Sequence, residues 1–545
     1  MMIAYLLGRQ SPIAMATLLA ATTLSACSLA PTYVRPEAPV PPSWPVGDAY
    51  LRQSEAALPA ITYPAVFTDR RLQSLIEQAL VNNRDLRIAA ANIQAARAQY
   101  RIQRADLFPQ VDATGRYTYS GGGRGASNVA GGGTGTGGTG TGGTGTGGTG
   151  TGGTGTGTGG TGGTGTGGTV VTTSSGNSAF SVGLGTTAFE LDLFGRIRSL
   201  SRAALDRYFA TEAGARATRL TLVGDIADAW LTYAADQTLL RIAQDTATSA
   251  QRSVELTRAR LRGGISPRTD VAQAEQILAT AESDLALQRT LVAQDANALQ
   301  LLVGAPVDPS LLPAMLDEAA ASVAALPAGL DSGILLRRPD VVQAEYELRA
   351  TNAEIGAARA ALFPRISLTG LVGFASTALS SLFTGDAFNY SVAPAVSYPI
   401  FQAGAGRASV RFTQAQRDAA LATYERAIQS AFRETADALA RQGTIAEQLA
   451  ANRRNVAATA DTLRLTDASY RGGITPFLNT LDAQRSLYTA QRQLVATQLV
   501  ASSNRVTLYR VLGGDSSLEG TADGPRPVTP AGAARPAEAG APPGE

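Results

Sequence analysis

Few residues in this chain of 545 amino acids could carry out catalysis. All 46 basic residues are arginine, and the sequence contains neither lysine nor histidine. It therefore lacks the side chains for a Schiff base, a lysine-dependent phosphate loop, a histidine-activated nucleophile or a histidine-ligated metal. Glu190 and Asp192 form a carboxylate pair, but alternate residues at a helix entry are more simply solvated or capping groups. We therefore predict no enzyme activity, no catalytic residue, no metal site and no cofactor.

The overall charge balance also excludes one class of partner. The 46 basic residues are matched by 44 acidic residues, so the formal net charge is +2. A balance this even does not favour nucleic-acid binding, and we predict none. Hydrophobic residues make up 44% of the chain and aromatic residues 6%, so a large core would consist mainly of Ala, Leu and Val. Such small side chains favour closely packed helices.

The single cysteine, Cys27, matters for its position rather than for redox chemistry. Residues 1–26 have the features of an export signal that is too short to span a bilayer well. Leu-Ser-Ala-Cys at residues 24–27 resembles a bacterial lipoprotein box, which implies that Cys27 carries a covalent lipid such as palmitate. Ser28 after it favours sorting to the outer membrane. The Pro-rich residues 27–66 would then be an extended, lipid-anchored tether. The alternative is a cleaved signal with an incidental cysteine.

The chain contains a tandem repeat with a spacing of about 209 residues. Arg-Gly-Gly-Ile-Ser-Pro at 262–267 is matched by Arg-Gly-Gly-Ile-Thr-Pro at 471–476. We assign the first copy to residues 67–304, and a linker with the second copy to residues 305–514. The first copy has an insertion of Gly and Thr at 121–177, predicted to be a flexible loop. Residues 515–545 are rich in Pro, Ala and Gly, which predicts a disordered tail.

Each copy is predicted to contain two long helices joined by a tight break. From Arg196 to Arg262 there is no proline, which predicts a helix of 67 residues and roughly 100 Å. A seven-residue apolar repeat from Val271 to Leu299 indicates a coiled-coil seam. At each break, glycines allow a left-handed cap and proline opens the next helix. The residues of these hairpin tips are Gly263, Gly264, Pro267, Gly472, Gly473 and Pro476.

Each copy also contains two segments in which apolar residues alternate with polar ones. Phe180, Val182 and Leu184 would lie on one face of a strand, and in the second copy Phe388 to Ile400 alternates in the same way. Ten-residue strands with one apolar face are typical of transmembrane β-barrels. Four strands cannot close a useful barrel, and open edges do not survive in lipid, so several chains must share one. Three chains would supply twelve strands. Half-buried strands of a globular α+β domain are the alternative.

The sequence resembles the TolC-like outer membrane efflux family. It resembles more closely the lipoprotein (NodT-type) branch of that family, which serves resistance-nodulation-division pumps. The resemblance covers about residues 31–514. It is carried by Pro-Thr-Tyr-Val-Arg-Pro at 31–36, Leu-Phe-Gly-Arg at 193–196 and Leu-Asp-Ala-Gln-Arg-Ser-Leu at 481–487. It implies an α+β membrane protein, a homotrimer whose twelve-stranded β-barrel, four strands per chain, continues into a long coiled-coil periplasmic tunnel.

The resemblance also implies a periplasmic gate near the hairpin tips. Family gate positions match Asp270, Tyr470, Leu478 and Asp482, and three copies of Leu478 and Asp482 would form an apolar ring beside an acidic ring. Thr475 and Asn479 stand where some members have further gate groups. Asp270 is alternatively a helix N-terminal charge favoured by the dipole. Tyr470 and Leu478 are alternatively packing residues between hairpins.

The expected function is therefore that of a passive conduit in a tripartite efflux system. Drugs or other small solutes would pass from an inner-membrane pump, docked through a periplasmic adaptor, across the periplasm and outer membrane. The expected location is the outer membrane, in contact with its lipid. Two alternatives remain: an export duct of a type I protein secretion system, and a structural helical lipoprotein scaffold.

Overall fold

The computed structural model describes residues 28–41, 43–45, 62–120, 177–325 and 332–528. They form two compact units. The sheet unit comprises Pro109–Leu191 and Ile366–Val396, and the remaining described residues make up the helical unit. The predicted signal peptide, Cys27 with its lipid, residues 121–176 of the predicted loop and residues 529–545 of the predicted tail lie outside the described residues. Asn177, placed in the predicted loop, is instead the first residue of a strand.

The helical unit is built from helices of very different length. In chain order they are α1 (Tyr63–Val66), α2 (Arg70–Asn82), α3 (Arg84–Ala105), α4 (Arg196–Arg262), α5 (Arg268–Val303), α6 (Leu316–Ala321), α7 (Pro339–Ala360), α8 (Ala405–Arg471) and α9 (Phe477–Val511). The predicted 67-residue helix is confirmed as α4, and α8 has the same length. In the described part of the chain, no helix is both long and apolar enough to cross a membrane.

Helices α4 and α5 form one long antiparallel hairpin, and α8 and α9 form another. The predicted seam of α5 is confirmed at its two ends, because Val271 is 7% exposed and Leu299 is fully buried. Ala274 and Ala281, three residues after successive seam positions, are also buried. Small side chains at these positions let the paired helices approach closely, as the Ala-rich composition predicts.

The main core lies where the middle of the two hairpins meets α2, α6 and α7. Trp230 of α4 is fully buried, and its indole N–H donates to the carbonyl oxygen of Leu311 at 3.1 Å. Phe67 packs edge-on against Tyr509 of α9, with ring centroids 5.3 Å apart. Burying one such side chain stabilises the fold by roughly 1.5–3 kcal/mol. The core therefore joins the two repeats.

Where the structure describes it, the segment predicted as a free tether at residues 27–66 is held against the helical unit. Residues 28–41 have no helix or strand, and residues 29–35 contact α7. The side chain of Asn352 donates to the Pro31 carbonyl at 2.7 Å, and Arg35 pairs with the buried carboxylate of Glu345 at 2.7 Å. Further on, Trp44 stacks on Phe432 of α8 at 5.0 Å. Contacts with residues some 300 positions away hold this segment in place.

The prediction of disorder from Asp515 onwards is wrong for residues 515–528. Strands β5 (Leu518–Thr521) and β6 (Gly524–Pro527) form an antiparallel pair. The hydroxyl of Tyr346 and the guanidinium of Arg349, both on α7, donate to the carbonyl oxygen of Thr521 at 2.9 and 2.7 Å. Leu518 is fully buried. These long-range contacts order a segment whose own composition has little to bury.

The sheet unit contains the four predicted strands. They are β1 (Asp112–Ser120), β2 (Asn177–Leu191), β3 (Arg365–Ser376) and β4 (Phe388–Ser397), hydrogen-bonded in that order. Both β1–β2 and β2–β3 are antiparallel. Strand β4 ends at Ser397, so the alternating residues predicted at 398 and 400 lie beyond it. Strands β1 and β4 are the edges of the sheet.

One face of the sheet carries exposed apolar side chains. Direct pairing places Leu184 of β2 opposite Ala113 of β1 and Val372 of β3, so all three share a face. Leu184 is 52% exposed and Val372 is 44% exposed. On β4 the predicted apolar residues Phe388, Tyr390, Val392 and Val396 are also exposed. This sheet therefore presents large hydrophobic side chains that the other described residues leave exposed.

A β-bulge in β2 keeps that apolar face continuous. Thr186 pairs with Gly370, and Phe189 pairs with Leu368, so β2 uses one residue more than β3. At the bulge Ala188 has a φ of 51°, and its N–H donates to the Thr369 hydroxyl at 3.2 Å. Without the extra residue, Phe189 would point to the opposite face from the preceding apolar residues.

Candidate functional site

The predicted hairpin tips have a defined backbone geometry. At the first tip, the N–H of Gly264 donates to the carbonyl oxygen of Leu261 at 3.0 Å, and the N–H of Ile265 donates to that of Arg260 at 2.9 Å. Gly264 has a φ of 72°, in the left-handed region that side chains disfavour. Gly263 has an ordinary φ of −77°. The break therefore needs a glycine at 264 because of its backbone conformation.

The second tip repeats this geometry. Gly473 has a φ of 74°, its N–H donates to the Tyr470 carbonyl at 3.0 Å, and the N–H of Ile474 donates to the Ser469 carbonyl at 2.9 Å. An added Cβ at Gly473 would meet nothing within 4 Å, so the requirement is again conformational. These hydrogen bonds satisfy carbonyl groups that the helix end would leave unpaired. Both predicted breaks are thus confirmed.

The prolines of the tips lie one residue before the helices they precede. Pro267 is the N-cap of α5, which begins at Arg268, and Pro476 is the N-cap of α9, which begins at Phe477. The prediction that each proline opens its helix is therefore wrong by one position. The extended ψ angles of 158° and 154° at these prolines turn the chain sharply into the second helix of each hairpin.

Tyr470 lies inside a small apolar cluster that joins the two hairpins. It is 3% exposed, and its ring lies 5.0 Å from that of Phe477. Val254 and Ala274, from the first hairpin, and Leu481, from the second, complete this group of buried residues. The structure therefore shows Tyr470 as a packing residue between the two hairpins. Phe477, which the sequence analysis did not single out, is equally central to the cluster.

Leu478 and Asp482, by contrast, lie on the surface of the chain. Leu478 is 49% exposed, and the Asp482 side chain is 64% exposed. The Asp482 carboxylate lies 4.0 Å from the guanidinium of Arg485, one turn further along α9. A surface pair at this distance contributes little to stability, on the order of 0–1 kcal/mol. Both side chains are free to face other copies of the chain.

Asp270 lies in the first turn of α5, three residues after Pro267. It is partly buried, and its N–H donates to the Pro267 carbonyl at 3.2 Å. A carboxylate there is favoured by the helix dipole, with or without a role in gating. The four predicted gate residues are thus divided between both hairpins: Tyr470 is buried, and Leu478 and Asp482 are exposed.

A cavity of about 290 Å³ lies between the two hairpins, next to the Tyr470 cluster. Polar lining groups include Asp245 and Asp284 from the first hairpin and Gln484, Arg485 and Tyr488 from the second. Burial and the nearby Asp284 carboxylate raise the pKa of Tyr488. This cavity could not be predicted from the sequence, because its walls come from both copies of the repeat.

A pair of carboxyl groups lies between α4 and α5. Burial, and then the neighbouring Asp236, raise the pKa of Asp295 to about 7, and burial also raises the pKa of Asp236. The Oδ2 atom of Asp295 is buried and has no donor in the described part of the chain. A proton on one carboxyl would supply that donor. Sequence reasoning missed this pair because 59 positions of sequence separate the two residues.

Of the carboxylate pair Glu190 and Asp192, interpreted above as solvated or capping groups, Asp192 does contact the start of a helix. The Asp192 carboxylate accepts a hydrogen bond from the N–H of Arg198 at 2.8 Å and also contacts its guanidinium. Asp192 is therefore engaged at the start of α4. Glu190 is in β2, opposite Ser367 of β3.

Comparison with known proteins shows a match to a protein family. A model of the family described as "Outer membrane efflux protein" matches residues 75–305 and 331–514. The "Probable efflux pump outer membrane protein TtgC" of Pseudomonas putida is 41% identical over 494 residues, covering 90% of this chain and 93% of the relative. The "Cation efflux system protein CusC" of Escherichia coli is 34% identical over 504 residues, covering 92% and 100%.

Solved structures agree with the sequence match. The open state of the Neisseria gonorrhoeae MtrE outer membrane channel is 31% identical, with a TM-score of 0.71 over 90% of this chain and 98% of that one.

Proposed function

Because the chain belongs to the outer membrane efflux protein family, we propose that it acts as the passive outer membrane conduit of a tripartite efflux system. It is an outer membrane efflux protein that extends into the periplasm. We further propose that it assembles as a homotrimer with a shared barrel and tunnel, and that it has a gate, a lipid anchor and efflux partners.

The observation that carries the proposal is the four-stranded sheet with an uncovered apolar face. Its edge strands β1 and β4 have no further partner in the described chain. Unpaired backbone groups cost several kcal/mol each in lipid, so a sheet in a membrane must close on itself. We propose that three chains pair edge to edge into a twelve-stranded barrel. Its apolar face would meet lipid.

The two long hairpins support a tunnel. Each 67-residue helix is roughly 100 Å long at 1.5 Å per residue, which is far longer than a globular core requires. In a trimer they would supply twelve helices around an axis. Leu478 and Asp482, exposed in the single chain, would face that axis as apolar and acidic rings. The apolar ring would close the pore by dewetting, while the acidic ring would attract cations.

We propose that the energy and the selectivity come from partners. The chain would connect through a periplasmic adaptor to an inner-membrane resistance-nodulation-division pump. Relatives are named for efflux pumps and for cation efflux, so small solutes are the proposed cargo, rather than a secreted protein. No catalytic step is needed, in keeping with the capping role of Asp192.

A covalent lipid on Cys27 is the proposed anchor. The first described residues support it, since Leu29, Pro31 and Arg35 are each held by hydrogen bonds to α7. A fixed segment directly after Cys27 would keep the lipid near the helical unit. Each buried acyl methylene contributes roughly 0.8 kcal/mol to membrane binding. Mass spectrometry of the mature N-terminus should find a lipid-modified Cys27, and an unmodified one would contradict the anchor.

Imaging of detergent-extracted protein tests the architecture. Negative-stain particles should have threefold symmetry and a long tapering body. Compact particles without symmetry would favour the scaffold alternative, because the strands would then not form a shared barrel.

Conductance in planar bilayers tests the gate. Leu478→Ser should raise the basal conductance, because a polar ring no longer dewets the constriction. Leu287→Ser is the matched control, since Leu287 lies on α5 and is 52% exposed, close to the 49% of Leu478. If neither variant nor the wild-type protein conducts, the conduit is rejected.

A further inference from the structure

A second contact links the hairpins at the tips, beside the apolar cluster. The guanidinium carbon of Arg260, in the last turn of α4, lies 4.7 Å from the centroid of the Tyr470 ring. Its Nη1 lies 3.5 Å from the Tyr470 carbonyl oxygen, and its Nε donates to the Ser266 hydroxyl at 3.3 Å. Arg260 therefore touches its own turn and the end of the opposite long helix.

The ring, rather than the hydroxyl, of Tyr470 makes this contact. The Tyr470 hydroxyl is buried and has no hydrogen-bond partner in the described part of the chain. The face of the ring, in contrast, receives the Arg260 cation at a distance that suits a cation–π interaction. The attraction should therefore survive removal of the hydroxyl and fail on removal of the ring. That distinction separates it from a hydrogen-bonded contact.

The repeat shows that the contact is specific to one pairing. With the spacing of 209 residues, Ser469 corresponds to Arg260, and Leu261 corresponds to Tyr470. The two tips thus read Arg-Leu-Arg-Gly-Gly and Ser-Tyr-Arg-Gly-Gly. The cation is on the first hairpin and the ring is on the second. Two copies with the same backbone have diverged at the two positions that touch.

We propose that Arg260 is a positioning residue of the closed conduit, holding the Tyr470 ring and so fastening the first hairpin tip to the second. The proposal rests on the proposed function as a gated conduit. Loss of the contact lets the hairpins of each chain separate, which opens the constriction formed by the neighbouring Leu478. The contact favours the closed state without itself touching the solute.

Conductance of the full-length protein in planar bilayers tests the role of the contact. Arg260→Gln should raise the basal open probability about tenfold, as expected for losing one cation–π contact of about 0.5 kcal/mol in each of three chains. Arg260→Lys should restore part of the closed state, because it keeps the cation. Arg262→Gln is the matched control: it removes an arginine from the same helical turn, and Arg262 is exposed.

Tyr470 variants test which part of the ring matters. Tyr470→Phe should behave as the wild-type protein, whereas Tyr470→Leu should be at least as leaky as Arg260→Gln, because it also loses ring packing against Phe477. The double variant Arg260→Gln/Tyr470→Leu should be no leakier than Tyr470→Leu alone, because Arg260 then has no ring to hold. Equal leakiness of Tyr470→Phe and Tyr470→Leu would overturn the proposal, as would Arg260→Gln conducting like Arg262→Gln.

Thiol crosslinking gives a readout that does not need conduction. The Gln484 amide donates to the Ser253 hydroxyl at 3.3 Å, so a short bis-thiol reagent can join Ser253→Cys/Gln484→Cys across the two hairpins close to the tips. Adding Arg260→Gln should slow crosslinking several-fold, and adding Arg262→Gln should not. An unchanged rate with Arg260→Gln rejects the contact. If crosslinking slows but no variant conducts, the contact stands and the conduit is what fails.

Discussion

The two hairpin tips have the same backbone conformation but carry different side chains. Gly264 and Gly473 have φ angles within a few degrees of each other, at 72° and 74°. The residue three positions earlier is Leu261, 37% exposed, in the first tip but Tyr470, 3% exposed, in the second. Backbone geometry is thus kept in both copies, while the contact between hairpins is built from different residues in each. A duplicated unit can diverge wherever its fold does not constrain it.

The same divergence occurs further along the hairpins. The carboxyl pair of the first hairpin, Asp236 and Asp295, corresponds in the repeat to Ile445 and Asn504. Ile445 is buried, and the Asn504 amide donates to the Ala438 carbonyl at 3.0 Å. The two corresponding positions of the second hairpin therefore carry no titrating side chain. The two hairpins should respond differently to pH.

The largest difference is expected at the paired positions 261 and 470. Tyr470→Ala should destabilise the end of the second hairpin by about 3–5 kcal/mol, because it leaves a cavity among Phe477 and its neighbours. Leu261→Ala should cost less than about 0.5 kcal/mol, since that side chain is partly in solvent. Hydrogen exchange of amides in the last turns of α4 and α8 measures both. Equal losses would mean that the tips are equivalent.

The glycines should show the opposite pattern, with the tips alike. Gly264→Ala and Gly473→Ala should each cost about 1–2 kcal/mol, because alanine is strained at positive φ. Gly263→Ala and Gly472→Ala are the controls. Their φ angles of −77° and −72° suit alanine, so they should be neutral or stabilising by up to about 1 kcal/mol. The same thermal or exchange measurement serves all four. A cost confined to one tip would contradict the shared geometry.

A pH effect should appear in the first hairpin alone. Between the ordinary pKa of 3.8 and the raised value of about 7, Asp295 holds more proton in the folded chain than in the unfolded chain. The free energy of unfolding therefore falls as the pH rises through this range, by about 1 kcal/mol once solvent screening is allowed for.

Asp295→Asn should flatten that dependence, because it installs the residue found at the corresponding position 504. Asp245→Asn, an exposed change on α4, is the control and should leave the slope unchanged. Hydrogen exchange of α5 amides between pH 4.5 and 7.5, corrected for the intrinsic rate, provides the measurement. A second hairpin with the same slope would refute the assignment.

The smallest effect on stability is expected from the acidic residues near the hairpin tips, Asp270 and Asp482. Asp270→Asn/Asp482→Asn should change the free energy of unfolding by no more than about 0.5 kcal/mol, because these are partly or largely exposed positions. It should nevertheless raise basal conductance or lower cation preference, since the acidic ring is lost. Reversal potentials in a salt gradient measure the preference. Unchanged conductance and selectivity would remove both residues from the gate.

Much of the fold could be predicted because its determinants are local. The bounds of α4 follow from the absence of proline and from the Arg-Gly-Gly break, and the strands follow from their alternation. Local pattern could not reveal the order in residues 515–528, which depends on donors from Tyr346 and Arg349. It could not predict the bulge at Ala188 either, because the added residue interrupts the alternation.

The candidate site was predictable to a similar degree. The glycines and prolines of the tips follow from backbone chemistry, and the positions of Leu478 and Asp482 follow from a family resemblance. Arg260 has no such signal, since an arginine near the end of a helix is ordinary. Its importance appears only when the second copy of the repeat places an aromatic ring above it.

The contacts of Glu345 have a consequence for the order in which the chain folds. This buried carboxylate accepts from Arg35 in the N-terminal segment and from Arg349 beside the C-terminal strands, and Arg35 also donates to the Gly520 carbonyl. The contacts of Arg35 close a loop of 310 residues to Glu345 and of 485 residues to Gly520. Because closing such long loops costs conformational entropy, we expect these contacts to form late in folding. A chain that has been exported only as far as α9 lacks the Gly520 carbonyl that completes this cluster. Its two ends can come together only after export of the whole polypeptide, so truncated chains should stay open to proteases.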